Sequence, residues 1–581
     1  MATVLSIRHG GGESDPTEVI NTRYAWVLLV SLAGLFTFCA LFKFWFGSQK
    51  GQQSKFMARI KKHLIYAPLI RSGQTEFRLS SASVIFTIPT RLQACIIFTA
   101  VVLNIVLLVT HIAWDSAEKS LFSLVRNRAG TLATANLIPL VLLAGRHNPI
   151  SSIFGISFSA VNIFHRWLGR IVVLEAVVHA AMWLASKSST SGWSYVAEEF
   201  RSSQFIFTGL IAVISFISLG IHSPSIFRNK FYETFLHSHI LLVCLALGGL
   251  WHHLEELPAR RYLFAAIGIW AIQRLARFLL VIWRNCALAK TTRGIVKEIP
   301  GEAFQISVTM ARPWHVQPGQ YIFIYIPSIG LWTSHPFTIA WYDQNESSPT
   351  KESSDINVSE KSKENTIHLA DINVPQKSKE TTIHLIVKRR TGFTAALHRK
   401  IQKTEVHIAN VSPLLEGPYG GKQYCLDTYG TVILFAGGVG ITHQLLYARH
   451  ILNGLEEGVL FGRRRIQLVW AIRNFEHIEW VRSWLECLFR LDRAKNAFHV
   501  QIFITRDYNG ANDTLSLGGN LRLFSGRPDV DSILRCNVDQ QVGPMAVTSC
   551  GPGTMSDQVR KACIDYQFDC NIDYFEGNYC W

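Results

Sequence analysis

Four histidines lie inside long apolar stretches, where an ionisable ring is costly and is usually kept for a function. His165 and His179 share the segment FHRWLGRIVVLEAVVHAAMW, and His239 and His253 share LHSHILLVCLALGGLWHHLE. Each pair is 14 residues apart. On an α-helix, 14 steps return to within roughly 40° of the starting direction and climb about 21 Å. Each helix therefore shows two imidazoles on one face, one towards each side of a membrane. Facing imidazoles supply both axial positions of a haem iron. The spacing predicts two stacked sites, His165 with His239 on the inner side and His179 with His253 on the outer. A buried histidine satisfied by backbone is the plainer reading of any single one; two pairs of identical spacing argue against it. His237 has Trp251 at the 14-residue position, and His252 stands 13 from His239. That offset turns the ring by roughly 140°, so His253 is the better partner.

A second group of motifs lies after residue 290. His335-Pro336-Phe337-Thr338 ends one β-rich run. Lys388, Arg389 and Arg390 stand just before Thr391-Gly392-Phe393-Thr394 and an amphipathic helix, a suitable diphosphate site because helix N–H groups and Arg meet the anion together. Then LLEGPYGG precedes TVILFAGGVGITHQLLYARH, an apolar strand entering a glycine-rich turn. Gly437, Gly438 and Gly440 permit close approach of a pyrophosphate, with Thr442 at the helix start. Arg473 follows the next strand, where a guanidinium could meet a 2′-phosphate. Cys550-Gly551-Pro552-Gly553 follows another strand, and the chain ends at Trp581.

These residues need two kinds of scaffold. Of 581 residues, 49% are hydrophobic, and the apolar stretches end near residue 285. A membrane span takes about 20 residues, and the candidates are 24–46, 93–114, 133–145, 163–185, 205–221, 233–253 and 262–283. The loop 47–92 holds Lys50, Lys55, Arg59, Lys61, Lys62, Arg71, Arg78 and Arg91 against the single acid Glu76. Basic loops stay cytosolic, so the N-terminus is expected outside and the C-terminal half, after seven crossings, inside. The net charge of +16 then reflects bases beside spans, and no nucleic-acid partner is implied. The 11 cysteines form no CxxC pair and read as free thiols. The first apolar run is too long for a cleaved signal peptide. Beyond 290, short β-rich runs and then strands alternating with helices suggest a small barrel followed by an α/β nucleotide-binding domain.

Together the two His pairs, HPFT, KRRTGFT, GPYGG, GGVGIT, CGPG and the terminal Trp resemble the ferric reductase family of fungal membranes, which is related to the NADPH oxidases. The resemblance implies a polytopic helical membrane domain, a β-barrel FAD-binding domain and a ferredoxin-reductase-like NADPH-binding domain. The expected boundaries are 1–92 for a first helix and basic loop, 93–285 for the haem domain, 290–420 for the FAD domain and 421–581 for the NADPH domain. It implies two b-type haems on the four histidines. FAD falls at His335, Pro336, Phe337, Thr338, Arg389, Arg390, Gly392, Thr394 and Trp581, and NADPH at Gly437, Gly438, Gly440, Thr442, Arg473, Cys550, Gly551 and Pro552. The expected activity is electron transfer from cytosolic NADPH through FAD and haem to an external ferric or cupric chelate. The rivals are a superoxide-generating NADPH oxidase, a pathway-specific membrane reductase, and a transport or scaffold protein with a degenerate reductase domain. The plasma membrane is the expected location.

One region departs from the pattern. Residues 355–370 and 371–386 are near-identical repeats, DINVSEKSKENTIHLA and DINVPQKSKETTIHLI. The second TIHLIV is expected to form a barrel strand leading into KRRTGFT, and the first copy to sit in an extended loop within an insertion over 343–381. Arg260 and Arg261, opening the last span, read first as interfacial arginines that anchor the helix end, and second as candidates to dock an anionic metal chelate.

Overall fold

The computed structural model describes residues 16–577, apart from 49–53, 71–76, 79–84, 113–119, 152–155, 225–227, 346–379, 493–495, 507–519 and a few single or paired positions. Trp581, the first repeat and the start of the second lie outside the described residues.

Helix α1 (Pro16–Ser48) leads to the short α2 (Lys55–Ile60) and a π turn, and β1 (Phe77–Arg78) pairs with β2 (Ile85–Phe86). Six long helices follow: α3 (Arg91–Val109), α4 (Leu121–Ala144), α5 (Phe158–Ser202), α6 (Gln204–His222), α7 (Tyr232–His253) and α8 (Arg260–Asn285). Within α5, Gly192 at φ +82° breaks the helix beyond its apolar part. Six of these seven long helices, all but α4, are apolar enough throughout to cross a membrane. The expected span 133–145 caught only the second half of α4, because Arg126, Asn127 and Arg128 interrupt its apolar run. Yet α4 runs the same depth as its neighbours. The Arg126 carbonyl meets His179 near one end, and the Leu140 carbonyl meets His165 near the other. Arg128 is 3% exposed and donates to Asn21 on α1 and to the carbonyls of Leu107 and Thr110, so its charge is hydrogen-bonded inside the bundle. That is how a helix with two arginines sits among lipid-facing ones.

The start of α1 and the end of α8 lie at opposite ends of the bundle. Thr22 near the start of α1 accepts from Arg261, beside the His179–His253 end. At the far end of the bundle, Lys61 pairs with Asp573 in the C-terminal domain, and Asn285 on α8 pairs with Leu415. The basic loop and both C-terminal domains therefore share one side.

The expected barrel is not closed. After the small pair β3 (Cys286–Ala287) and β4 (Lys290–Thr291) come β5 (Arg293–Ile299), β6 (Ala303–Thr309), β7 (Gln320–Tyr325), β8 (His335–Thr338), β9 (Trp341–Asn345), β10 (Glu380–Lys388), α9 (Phe393–Ile401), β11 (Ile408–Val411) and β12 (Leu414–Gly420). They form a five-stranded antiparallel sheet, β11-β5-β6-β10-β9, and a separate three-stranded one, β12-β7-β8. The chain switches sheets at Ile339 and Ala340, whose amides donate to Gln320 of one sheet and His384 of the other. Val296, Ile306, Ile322, Ile324, Leu385 and Leu415 share the core between them. Alternation of period two fixes which residues face inward and leaves closure undetermined. The second TIHLIV does form β10, as expected.

The last domain is a six-stranded parallel sheet in the order β16-β15-β14-β13-β17-β18: β13 (Thr431–Gly437), β14 (Arg465–Ile472), β15 (Phe498–Ile504), β16 (Leu521–Ser525), β17 (Met545–Cys550) and β18 (Ile572–Glu576). Helices α10 (Ile441–Glu456), α11 (Arg482–Leu491), α12 (Val530–Asp539) and α13 (Gly553–Asp565) connect them. The order reverses at β13, so the ends of β13 and β17 border the crevice where such sheets bind ligands.

Candidate functional site

In the membrane domain, α5 and α7 run parallel with α6 between them in sequence, as the spacing of the histidines requires. His179 and His253 face each other with ring centres 6.0 Å apart and planes at 88°. Metal–nitrogen bonds of about 2 Å would bring the centres of two imidazoles that share one metal to roughly 6 Å apart. His165 and His239 lie close enough to interact at the other level. Three of the four rings are anchored through Nδ1 to a backbone carbonyl: His165 to Leu140 at 3.0 Å, His179 to Arg126 at 2.9 Å and His253 to Phe205 at 2.9 Å. Such a bond fixes the tautomer and leaves Nε2 as the free lone pair, the usual arrangement of a metal-binding histidine. His239 lacks it: its buried Nδ1 has no hydrogen-bond partner among the described residues. His237 and His252 are exposed, as their spacing indicated.

Two glycines that the sequence reading passed over make this geometry possible. A Cβ on Gly130 would come 2.7 Å from Nδ1 of His179, and one on Gly209 would come 2.7 Å from Nδ1 of His253. The His179 and His253 rings therefore press against backbone that has no side chain. Gly130 sits two residues from the buried Arg128, so one short stretch of α4 both supports the ring and satisfies the bundle. Between the two levels, Asn136 donates to Asn104 and to the buried Glu175, a polar chain across α3, α4 and α5. Arg260 lies over Trp251 and Phe264 and donates to the Glu255 carbonyl, and Arg261 donates to Thr22. Both guanidinium groups are engaged at helix ends, as the anchoring reading expects.

The flavin motifs meet through a residue not singled out in the sequence. Phe393 stacks on His335 at 4.3 Å and lies 6.4 Å from Phe337, joining HPFT to the TGFT turn. Gly392 has φ +73°, and a Cβ there would come 3.1 Å from Glu233 of α7. Glu233 also lies 3.9 Å from His335. The first turn of α7 thus touches both motifs, six residues before His239. The Thr394 hydroxyl is used inside the turn, bonded to the Arg390 amide and carbonyl, while the Arg389 and Arg390 side chains stay exposed. His335 is held below the usual histidine range by burial, against the raising effect of Glu233.

In the nucleotide domain the glycine turn and the CGPG turn are in backbone contact. A Cβ on Gly437 would strike Pro552, and one on Gly440 would strike the Cys550 carbonyl. Those two glycines are required by packing. Gly438, at φ +53°, has open space around it. Thr442 is 4% exposed and bonds to the Val439 carbonyl, so it caps the turn from within. Cys550 is buried, whereas Gly551, Pro552 and Arg473 are exposed. Arg473 lies within electrostatic range of Lys388, whose amine is held low by burial and by that guanidinium.

Known proteins resemble the chain in three blocks. Residues 129–250 match the ferric reductase like transmembrane component, 290–368 an FAD-binding domain and 429–564 the ferric reductase NAD binding domain. The ferric/cupric reductase transmembrane component 2 of Saccharomyces cerevisiae is 26% identical over 86% of this chain and 68% of its own. Ferric reductase transmembrane component 3 of the same yeast is 28% identical over the same shares. A protein named probable cell surface ferric reductase kap2, from Aspergillus oryzae, is 29% identical over 65% of this chain and 47% of its own. Among solved structures, a ferredoxin NADP+ reductase from Neisseria gonorrhoeae with bound FAD and NADP aligns with 50% of this chain and 98% of its own, at 13% identity and a TM-score of 0.30.

Proposed function

We propose that the chain belongs to the ferric reductase family, whose models match it in three blocks, and that it moves electrons from a reduced nicotinamide nucleotide across the membrane to a ferric or cupric acceptor. The observation that carries this reading is the facing of His179 and His253 at 6.0 Å with their Nδ1 atoms tied to backbone. The residues fit two b-type haems: His165 with His239 would hold the inner and His179 with His253 the outer. Arg166, Arg170 and Arg228, close enough to repel one another at the inner level, fit the acidic side groups of a haem. When bound, FAD converts the two-electron hydride chemistry of the nucleotide into single electrons, which haem iron accepts.

The chain's own residues orient and insulate. Phe393 and His335 form an aromatic wall where the isoalloxazine would lie, and Gly392 brings a helix N-terminus to the diphosphate. Gly438 admits the nucleotide's pyrophosphate, and Arg473 with Lys388 favours a 2′-phosphate, hence NADPH. The basic loop shares a side with these domains, which supports a cytosolic location for them. The plasma membrane remains the proposed site. Measuring NADPH consumption by the purified protein with ferric chelate, cupric ion and oxygen in competition tests the acceptor; preference for oxygen would make it an oxidase.

A further inference from the structure

One buried carboxylate of the flavin-side domain meets two arginines of the membrane bundle. Glu416 on β12 is 1% exposed and accepts from three sides. Arg146, just past the end of α4, lies 3.0 Å from Oε2, and Arg277 on α8 lies 2.8 Å from the same oxygen. The Tyr419 hydroxyl donates to Oε1 at 2.7 Å. Each arginine also holds a second group on the flavin-side domain. Arg146 donates to Ser334 at 2.8 Å, immediately before His335, and stacks 3.6 Å over Phe323; Arg277 donates to Tyr325. Two turns of α8 further on, Asn285 makes two bonds to the Leu415 backbone, mimicking a strand partner. The same α4 that ends near Arg146 gives the Leu140 carbonyl to His165, and its Leu142 carbonyl accepts from Gln273 of α8.

We propose that Glu416 is a positioning residue: with Arg146 and Arg277 it fixes the distance from the flavin motifs to the inner histidine level. The proposal rests on the electron route given above. A carboxylate with two arginines and a tyrosine, buried between domains, has one low-energy arrangement, because moving apart by one side-chain length leaves charges buried and unpaired. Asn285 alone could hold β12 to the bundle; Arg146 adds the link to Ser334, next to His335, and Arg277 a link to Tyr325. Electron delivery depends on separation, whereas hydride transfer from nucleotide to flavin occurs wholly within the soluble domains. The two steps should therefore respond differently to loss of Glu416.

The experiment uses the full-length, cofactor-loaded protein in lipid nanodiscs, mixed rapidly with NADPH. Flavin bleaching and haem reduction are followed separately, alongside amide hydrogen exchange over 414–420. Glu416→Gln should leave flavin bleaching within about twofold and slow haem reduction at least about tenfold, the scale on which small misplacements act. Exchange over 414–420 should accelerate, and Glu416→Asp should fall between variant and wild type. Unchanged haem reduction in Glu416→Gln overturns the proposal, as does parallel loss of flavin and haem reduction, which would mark a fold residue only. If Glu416→Gln does not accumulate, Arg146→Gln carries the same test, since Glu416 then keeps Arg277 and Tyr419. Failure of NADPH to reduce haem in the wild-type protein would instead sink the functional reading and leave the clamp aside.

Discussion

The Tyr66 hydroxyl, on the loop after the first membrane helix, bonds to Asp573 on the last strand at 3.2 Å, across 507 residues of sequence. The Tyr574 amide donates to the same hydroxyl, and Lys61 and Tyr429 complete the coordination of Asp573. Tyr66 lies inside the apolar core of the nucleotide domain, beside Val547, Cys563 and Tyr574. A membrane-domain loop is thus part of that domain's interior. Tyr66→Ala should lower stability of the nucleotide domain by about 3–5 kcal/mol, as other large-to-small core changes do. Tyr66→Phe, losing only the hydroxyl's bonds, should lose about 1–3 kcal/mol. Domain-resolved thermal unfolding reads both, and equal effects from the two variants would mean the ring packs loosely.

The outer histidine level depends on bare backbone. Gly130→Ala and Gly209→Ala should each displace a ring, since the added methyl falls 2.7 Å from Nδ1. The outer haem should be lost or weakened while the inner remains. Haem content and reduced-minus-oxidised spectra check this, and full occupancy in both variants would show that the rings need no such space.

The two kinds of glycine in the nucleotide turn should separate. Gly440→Ala drives a methyl into the Cys550 carbonyl and should abolish the fold of the turn. Gly438→Ala meets no atoms but must hold φ +53°, at about 1–2 kcal/mol. It should fold and raise the KM for NADPH, leaving flavin content intact; an unchanged KM would remove Gly438 from the nucleotide site.

Acid should open the domain boundary. Burial would raise the Glu416 carboxyl, but Arg146, Arg277 and Tyr419 outweigh it and hold it below the usual glutamate range. A depressed carboxylate contributes stability that is complete above its unfolded pKa of about 4.3 and is lost as pH falls through the lower folded value. Exchange over 414–420 should therefore accelerate below about pH 4, and Glu416→Gln should remove that acid dependence. A pH response that survives in the variant would assign it to other groups.

Much of this was legible in the sequence, and the gaps have physical causes. The 14-residue spacing placed four histidines on facing sides because a helix repeats so regularly. The true extent of α4 was hidden because Arg128 is hydrogen-bonded to Asn21 and backbone carbonyls that no local pattern announces. The open pair of sheets could not be told from a barrel, since alternation specifies faces and leaves edges unspecified. Gly130, Gly209, Phe393 and Glu416 were invisible for one reason: each acts through a partner distant in sequence. Within LLEGPYGG, the glutamate is what meets the membrane bundle.

The central claim is that the histidines work as two pairs across α5 and α7, and haem counting on single variants tests it most directly. His179→Ala and His253→Ala should each remove the same outer haem, with identical difference spectra and one haem left per chain. His165→Ala and His239→Ala should each remove the other. Loss of different haems from His179→Ala and His253→Ala, or an outer haem that survives His253→Ala and disappears with His252→Ala, would contradict the pairing.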